Sequence, residues 1–225
     1  TLAKYKTHQK DFYHKLIAQV WEKYEETLAK EKSLDFDDLL LKTTSLLKTY
    51  PEVKERYSNI WKYIHIDEYQ DTNKVQYEIA SLLSEKNRNI CVVGDIDQNI
   101  YSWRGADIAN MLNFEKEYPE AKIITLEENY RSTQTILTAA NNVIKKNVMR
   151  PEKNLFTKNV EGEKIELLIS YTEQEEARMI ADEAKELIND GSNPREIAVL
   201  YRANFQSRAL EEAKKKKNIP YQVLG

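Results

Sequence analysis

Two adjacent carboxylates, Asp67 and Glu68, follow directly on the apolar run 60–66. The run reads as a buried strand, so the acids stand at a strand's C-terminal end, the edge at which open α/β sheets do chemistry. The pattern returns at Ile90-Cys91-Val92-Val93, a second short strand-like run that ends in Gly94-Asp95-Ile96-Asp97-Gln98. Two strand ends thus present acids and an amide together. In nucleotide hydrolysis the first acid of such a pair holds Mg²⁺, usually through its water shell, and the second orients or deprotonates the attacking water. The plainer reading of Asp67 and Glu68 is a surface acid pair opening the next turn. The apolar run before them and the matching strand end at Asp95 favour chemistry.

Gln98 lies just past the second strand, where an uncharged amide can touch a phosphate or the attacking water. Tyr101-Ser102-Trp103-Arg104-Gly105 sets two aromatics and a guanidinium in one loop. Such a set can stack single-stranded bases and hold a backbone, or else simply pack on its own domain; the residues alone leave these even. Glu127-Glu128-Asn129-Tyr130-Arg131-Ser132 marks another strand end and helix start. There Arg131 could reach a γ-phosphate and Tyr130 could stack a purine. Pairing of Arg131 with Glu127 or Glu128 is the slightly better reading without further information. His8, His14 and His65 have no metal-ligand spacing with one another or with Cys91, and the lysine run 214–217 reads as a solvated helix end.

A length of 225 residues with 41% hydrophobic content suffices for one large or two ordinary domains with buried cores. With 34 basic against 37 acidic side chains, no global charge argument for nucleic acid exists, so any such contact must be local. The single cysteine, Cys91, excludes an internal disulfide and reads as a buried thiol in a reducing compartment. No apolar run approaches the roughly 20 residues needed to span a bilayer. The start Thr1-Leu2-Ala3-Lys4 carries no signal-peptide pattern, and a cytoplasmic protein is expected.

Several elements must position the candidate residues. Phe12, Leu16, Val20, Tyr24 and Leu28 fall four apart and predict a helix over 11–32. Asp35 and Asp38 open a second helix that Pro51 ends. A helix over 72–84 joins the two strands as a βαβ unit, and Asp107 can cap a helix running to Tyr118. Further strands are expected at 123–126, 165–170, 197–201 and 221–224. The expected helices there run over 132–146, 173–189 and 205–217, with a polar surface loop over 147–164.

The ordered set Leu34-Asp35-Phe36-Asp37-Asp38-Leu39, Asp67-Glu68-Tyr69-Gln70-Asp71, Gly94-Asp95-Ile96-Asp97-Gln98-Asn99-Ile100-Tyr101-Ser102-Trp103-Arg104-Gly105-Ala106-Asp107 and Asn129-Tyr130-Arg131-Ser132-Thr133 resembles the UvrD/Rep family of superfamily 1 DNA helicases. The resemblance runs across essentially the whole chain, through Tyr201-Arg202-Ala203-Asn204-Phe205-Gln206-Ser207-Arg208. It implies an α/β fold with RecA-like parallel sheets of the P-loop NTPase type. Residues 1–33 would be a helical segment inserted in the first motor domain, 34–122 the C-terminal part of that domain, and 123–225 the start of the second. It implies ATP and Mg²⁺ as cofactors, and single-stranded DNA and duplex junctions as partners, with no membrane; no protein partner is indicated. By the same resemblance Asp67 is the Mg²⁺ ligand, Glu68 the catalytic base and Gln98 the γ-phosphate sensor. Tyr130 would stack adenine, Arg131 would be an arginine finger, and Tyr101, Trp103 and Arg104 would grip DNA, with weaker backbone contacts from Arg202 and Asn204.

Ile96, Asn99 and Glu128 depart mildly from the family pattern, standing where small residues or Ser, and Gln, are usual. The family's phosphate-binding loop is expected before Thr1 and its later motifs after Gly225. No G-x-x-x-x-G-K-[ST] occurs in these 225 residues, so the isolated chain is expected to lack ATPase activity. Two other readings compete. Asp67, Glu68, Asp95 and Asp97 could form a two-metal nuclease or hydrolase site, which would leave the aromatic loop idle. A non-catalytic fragment that binds DNA or a protein is the other.

Overall fold

The computed structural model describes residues 2–7, 11–147 and 153–224. His8 and the Pro151 part of the expected surface loop lie outside the described residues. After a short helix, α1 (Leu2–Lys6), Asp11 accepts a hydrogen bond from the His14 N–H at 2.9 Å and caps α2 (Phe12–Glu31). Asp35 accepts from the Asp38 N–H at 2.7 Å and caps α3 (Phe36–Thr49). Each cap satisfies an N–H that has no partner within its helix. Pro51 does end α3, but it also starts α4 (Pro51–Ile60), a helix the sequence reading missed. Proline suits a first helical position because the N–H it lacks would be unpaired there anyway.

The run 60–66 is therefore not one buried strand. Ile60 closes α4, Trp61 and Tyr63 are exposed, and β1 covers only Ile64–Ile66. β1 pairs in parallel with β2 (Ile90–Val92), with Ile64 opposite Ile90, His65 opposite Cys91 and Ile66 opposite Val92. The crossover between them is α5 (Lys74–Ser84), whose start is closed by Asn73 and Gln76: each side chain accepts the other's backbone N–H at 2.9 Å. A parallel pair needs such a crossover. Because side chains alternate along a strand, the four aliphatic residues turn to the half-buried face and His65 and Cys91 share the open one. Cys91 is thus exposed, which corrects the expectation of a buried thiol.

The chain divides into two compact units, Thr1–Glu127 with Ile144–Lys153, and Glu128–Val143 with Asn154–Gly225. In the first, α5 packs against α3 and α4, burying Leu47, Thr44, Ala80 and Ser84. The single helix expected from Asp107 to Tyr118 is two short ones, α6 (Ala109–Leu112) and α7 (Phe114–Glu117), with Asn113 between them. Asn110 there turns inward and donates to the Thr72 C=O at 3.0 Å, tying this segment to the turn after β1.

The second unit holds most of α8 (Gln134–Ile144), together with α9 (Glu173–Asn189) and α10 (Ser207–Lys216). Helices α9 and α10 pack on each other; Ala181, Ala184 and Ile219 form the core, with Ile188, Ile197 and Ala213 against it. Four runs expected as strands, 123–126, 165–170, 197–201 and 221–224, form no strand among the described residues. Their apolar side chains stay open, with Ile124 70%, Leu167 83% and Leu200 93% exposed. A strand exists only when a neighbour takes its N–H and C=O groups, and here only an isolated parallel bridge, Glu128 with Phe156, is made in the second unit among the described residues. The architecture is α/β with a small parallel sheet. No helix among the described residues is long and apolar enough to cross a membrane.

Candidate functional site

Parallel pairing brings the C-terminal ends of β1 and β2 to one edge. The ladder continues past both: the Val93 N–H donates to the Ile66 C=O at 2.8 Å, and the Tyr69 N–H donates to the Val93 C=O at 2.9 Å. Asp67 and Glu68 stand out from this edge, both exposed, while Tyr69 and Gln70 turn in and are each only 1% exposed. The Tyr69 ring meets Phe114 edge-on at 5.8 Å. Burial, and then the charge of Glu117, push its phenol well above the usual tyrosine range, so it is a neutral anchor under the acids. Glu68 itself takes the left-handed conformation, φ 50 and ψ 41. This reverses the chain between the exposed acids and the buried pair that follows.

Asp67 Oδ1 accepts the Glu68 N–H at 2.9 Å, and no hydrogen bond engages Oδ2 among the described residues. One open carboxylate oxygen facing solvent fits Mg²⁺, which keeps much of its water and takes one or two carboxylates with phosphate oxygens. Gln70 joins the two strand ends. Its Nε2 donates to Glu68 Oε2 at 2.7 Å, its Oε1 accepts the Asp95 N–H at 2.9 Å, and its C=O accepts from Asn99 Nδ2 at 2.5 Å. In the sequence Gln70 stands only as one position of the motif Asp67-Glu68-Tyr69-Gln70-Asp71. A polar residue directly after a buried aromatic was the signal to follow.

Gly94 makes room for this link. A Cβ there would lie 2.6 Å from Gln70 Oε1 and 3.2 Å from the Tyr69 N. Gly94→Ala is therefore expected to lower stability by about 1–3 kcal/mol, read as a lower urea midpoint. An unchanged midpoint would mean that Gln70 moves aside without cost.

Asp95 is the hub of the second strand end. Its Oδ1 accepts the Asp97 N–H at 2.9 Å and its Oδ2 accepts Gln98 Nε2 at 3.0 Å. Lys153 Nζ donates to Asp95 Oδ1 and lies 3.3 Å from Asp97 Oδ2. Burial raises the Asp95 carboxyl, but Lys153, Gln98 and the Asp97 N–H together outweigh it and hold it below the usual aspartate range. Nothing local in the sequence marks Lys153, which is 58 positions from Asp95. With a lysine on Asp95 and Asp97, and no group of three or more acids, histidines or cysteines placed to hold a metal among the described residues, the two-metal reading finds no support. Gln98 is exposed, and its amide is directed to Asp95 rather than to Glu68.

Past Gln98 the loop carries a second short turn, Ser102–Arg104, closed by Gly105 at φ 87. Tyr101 and Trp103 are 38% and 64% exposed, with ring centroids 6.4 Å apart. The Arg104 Cζ lies 5.4 Å from the Tyr101 centroid and 4.7 Å from that of Trp103. The aromatics are thus held outside by a shared guanidinium, which goes against the reading that they pack into their own domain.

Tyr130, Arg131, Arg202 and Asn204 belong to the second unit. Asn129 Oδ1 accepts the Arg131 N–H at 3.1 Å and the Ser132 N–H at 2.8 Å, which shapes the turn before α8. The expected pairing of Arg131 with Glu127 or Glu128 is not made. Glu128 takes Lys158 at 2.8 Å and the Tyr130 hydroxyl instead, and Arg131 is exposed with no ion pair among the described residues. Tyr130 is 77% exposed. Arg202 and Asn204, both exposed, flank the start of α10, where Gln206 Oε1 accepts the Arg202 N–H at 3.1 Å. No hydrogen bond or ion pair joins them to Tyr130 or Arg131 among the described residues. The lysine run at the end of α10 is not simply solvated, since Lys217 pairs with Asp182 and Lys214 lies 5.6 Å from the Tyr221 centroid.

Two sequence models of helicase domains in the P-loop NTPase superfamily divide the chain between them. That of the UvrD/REP helicase N-terminal domain matches residues 1–119, and that of the UvrD-like helicase C-terminal domain matches residues 124–225. The chain belongs to the UvrD-like helicase family. It is 51% identical over 215 residues to the ATP-dependent DNA helicase PcrA of Staphylococcus epidermidis, and 49% identical over the same length to that of Staphylococcus aureus. In each case 96% of this chain is covered but only 30% of the relative, so the chain spans about a third of the length of the curated relatives it matches.

Proposed function

We propose that this chain forms part of a cytoplasmic ATP-dependent DNA helicase, one that couples ATP hydrolysis to movement on single-stranded DNA and to unwinding at duplex junctions. The observation that carries this reading is the shared strand edge: an exposed acid pair and an exposed aromatic–guanidinium cluster lie on segments that buried Gln70 ties together. The kinship with DNA helicases supports it. In this reading the sheet is the RecA-like type, residues 1–33 and 34–122 belong to the first motor domain, and 123–225 begin the second.

Glu68 takes the proton of the attacking water, held in place by Gln70. Asp67 holds Mg²⁺, which when bound neutralises charge on the phosphate oxygens. Gln98 senses the γ-phosphate from the end of the second strand. Tyr130 stacks the adenine and Arg131 supplies positive charge to the γ-phosphate, for which its guanidinium, in no ion pair among the described residues, is available. Tyr101, Trp103 and Arg104 grip the DNA strand, and Arg202 and Asn204 add backbone contacts.

Phosphate release with and without single-stranded DNA tests the reading. The full-length helicase carrying this chain is expected to be stimulated by DNA. The 225 residues alone are expected to show no stimulation, because the loop that positions β- and γ-phosphates is not in their sequence. Stimulated release by the isolated chain that disappears in Glu68→Gln would show that these residues suffice.

A further inference from the structure

We propose that Gln70 is a positioning residue for hydrolysis, whose one side-chain amide both holds the Glu68 carboxylate and is held by the Asp95 backbone. A displacement of the 95–104 loop then reaches the catalytic base through that amide. The proposal rests on the ATPase reading of Glu68 given above.

The geometry leaves Gln70 little freedom. Its side chain is 1% exposed, so an amide group left unpaired there would be costly. A carboxylate only accepts hydrogen bonds and a backbone N–H only donates, so just one orientation of the amide satisfies both neighbours. That orientation places Nε2 on Glu68 Oε2 at 2.7 Å and Oε1 on the Asp95 N–H at 2.9 Å. The residue's own backbone is pinned to the same loop, since Asn99 Nδ2 donates to the Gln70 C=O at 2.5 Å. Moving Asp95 and Asn99 together therefore pulls on both ends of Gln70. Among the described residues no other side chain joins Glu68 to the second strand end: the Gln98 amide stops at Asp95 Oδ2, 3.0 Å away. The loop that Gln70 senses runs on to the exposed Tyr101, Trp103 and Arg104. A strand of DNA seated on that cluster would thus shift a loop whose other end sets the direction of the Glu68 carboxylate.

Two variants separate this role from a structural one. Gln70→Glu keeps the shape and the acceptor for the Asp95 N–H but removes the amide donor facing Glu68; Gln70→Met keeps the volume and removes both. In the full-length helicase carrying this chain, each is expected to lower the DNA-stimulated kcat by about tenfold or more, with KM for ATP and Kd for single-stranded DNA within about twofold of the parent. In a Glu68→Gln background the same substitutions are expected to cause no further loss, since the group they act through is already gone. Wild-type kcat in folded Gln70→Glu and Gln70→Met overturns the proposal, as do losses that simply multiply those of Glu68→Gln. Failure of both variants to fold, followed by thermal melting, would assign Gln70 to stability alone and also overturn it. A parent enzyme without DNA-stimulated hydrolysis, or one indifferent to Glu68→Gln, would instead remove the ATPase reading itself.

Discussion

On the proposed function, Glu68→Gln in a full-length protein carrying this chain is expected to slow ATP hydrolysis by about 10²–10⁴-fold while leaving ATP and DNA binding in place. The amide has nearly the shape of the acid, and Gln70 can still meet it through the Glu68 side-chain oxygen, so the exposed strand end keeps its form. What would disappear is the group proposed to accept a proton from water. Asp67→Asn is expected to differ in kind. It removes charge from the oxygen left open toward solvent and should weaken Mg²⁺-nucleotide binding as well as turnover. Nucleotide affinity measured in both variants decides: equal loss in the two would reject this division of labour between neighbouring acids.

Trp103→Ala is expected to weaken single-stranded DNA binding by roughly tenfold or more, because stacking on an aromatic face is worth about 1–3 kcal/mol per base. The indole is 64% exposed, so its removal should change folding stability by no more than about 0.5 kcal/mol. A large drop in Tm with unchanged DNA affinity in the folded fraction would return Trp103 to a packing role. Arg104→Ala should act through salt. If its guanidinium contacts one phosphate, the slope of log K against log salt should become shallower by about 0.7, the value for one contact on a single strand. Arg104 also lies over both rings, so some loss of affinity at every salt concentration is expected with it.

The helices over 11–32 and 173–189 were legible from their apolar spacing, and the one after Asp35 from its acidic start as well. The structure adds that Asp11, Asp35 and Thr172 each cap a helix through a hydrogen bond to an N–H three residues on. Helix α4 is hard to see in the sequence because a proline that stops one helix is equally a good first position for the next. The acid pair, the strand in front of it and the second strand that leads to Asp95 were legible because a βαβ crossover is written as two apolar runs with a helix between. The runs 123–126, 165–170, 197–201 and 221–224 show the limit of that signal. Alternation says that a segment can join a sheet, whereas pairing depends on a neighbour that the segment does not encode. Gln70 and Lys153 were hidden for a related reason, since each acts on a residue far along the chain, 25 positions for Gln70 and Asp95 and 58 for Lys153 and Asp95.

If Glu68 has the proposed role, its left-handed backbone sets function against thermal endurance. A side chain other than glycine at φ 50 costs about 1–2 kcal/mol relative to an ordinary conformation, and glycine would pay none of it. Among the described residues, the positive-φ non-glycine position at the C-terminal strand edge is therefore also the one bearing the carboxylate proposed as the catalytic base. Screening random variants of this protein for heat resistance alone would tend to enrich glycine or asparagine at this position and so harvest inactive molecules. Any such campaign would have to select for turnover and for melting temperature at once.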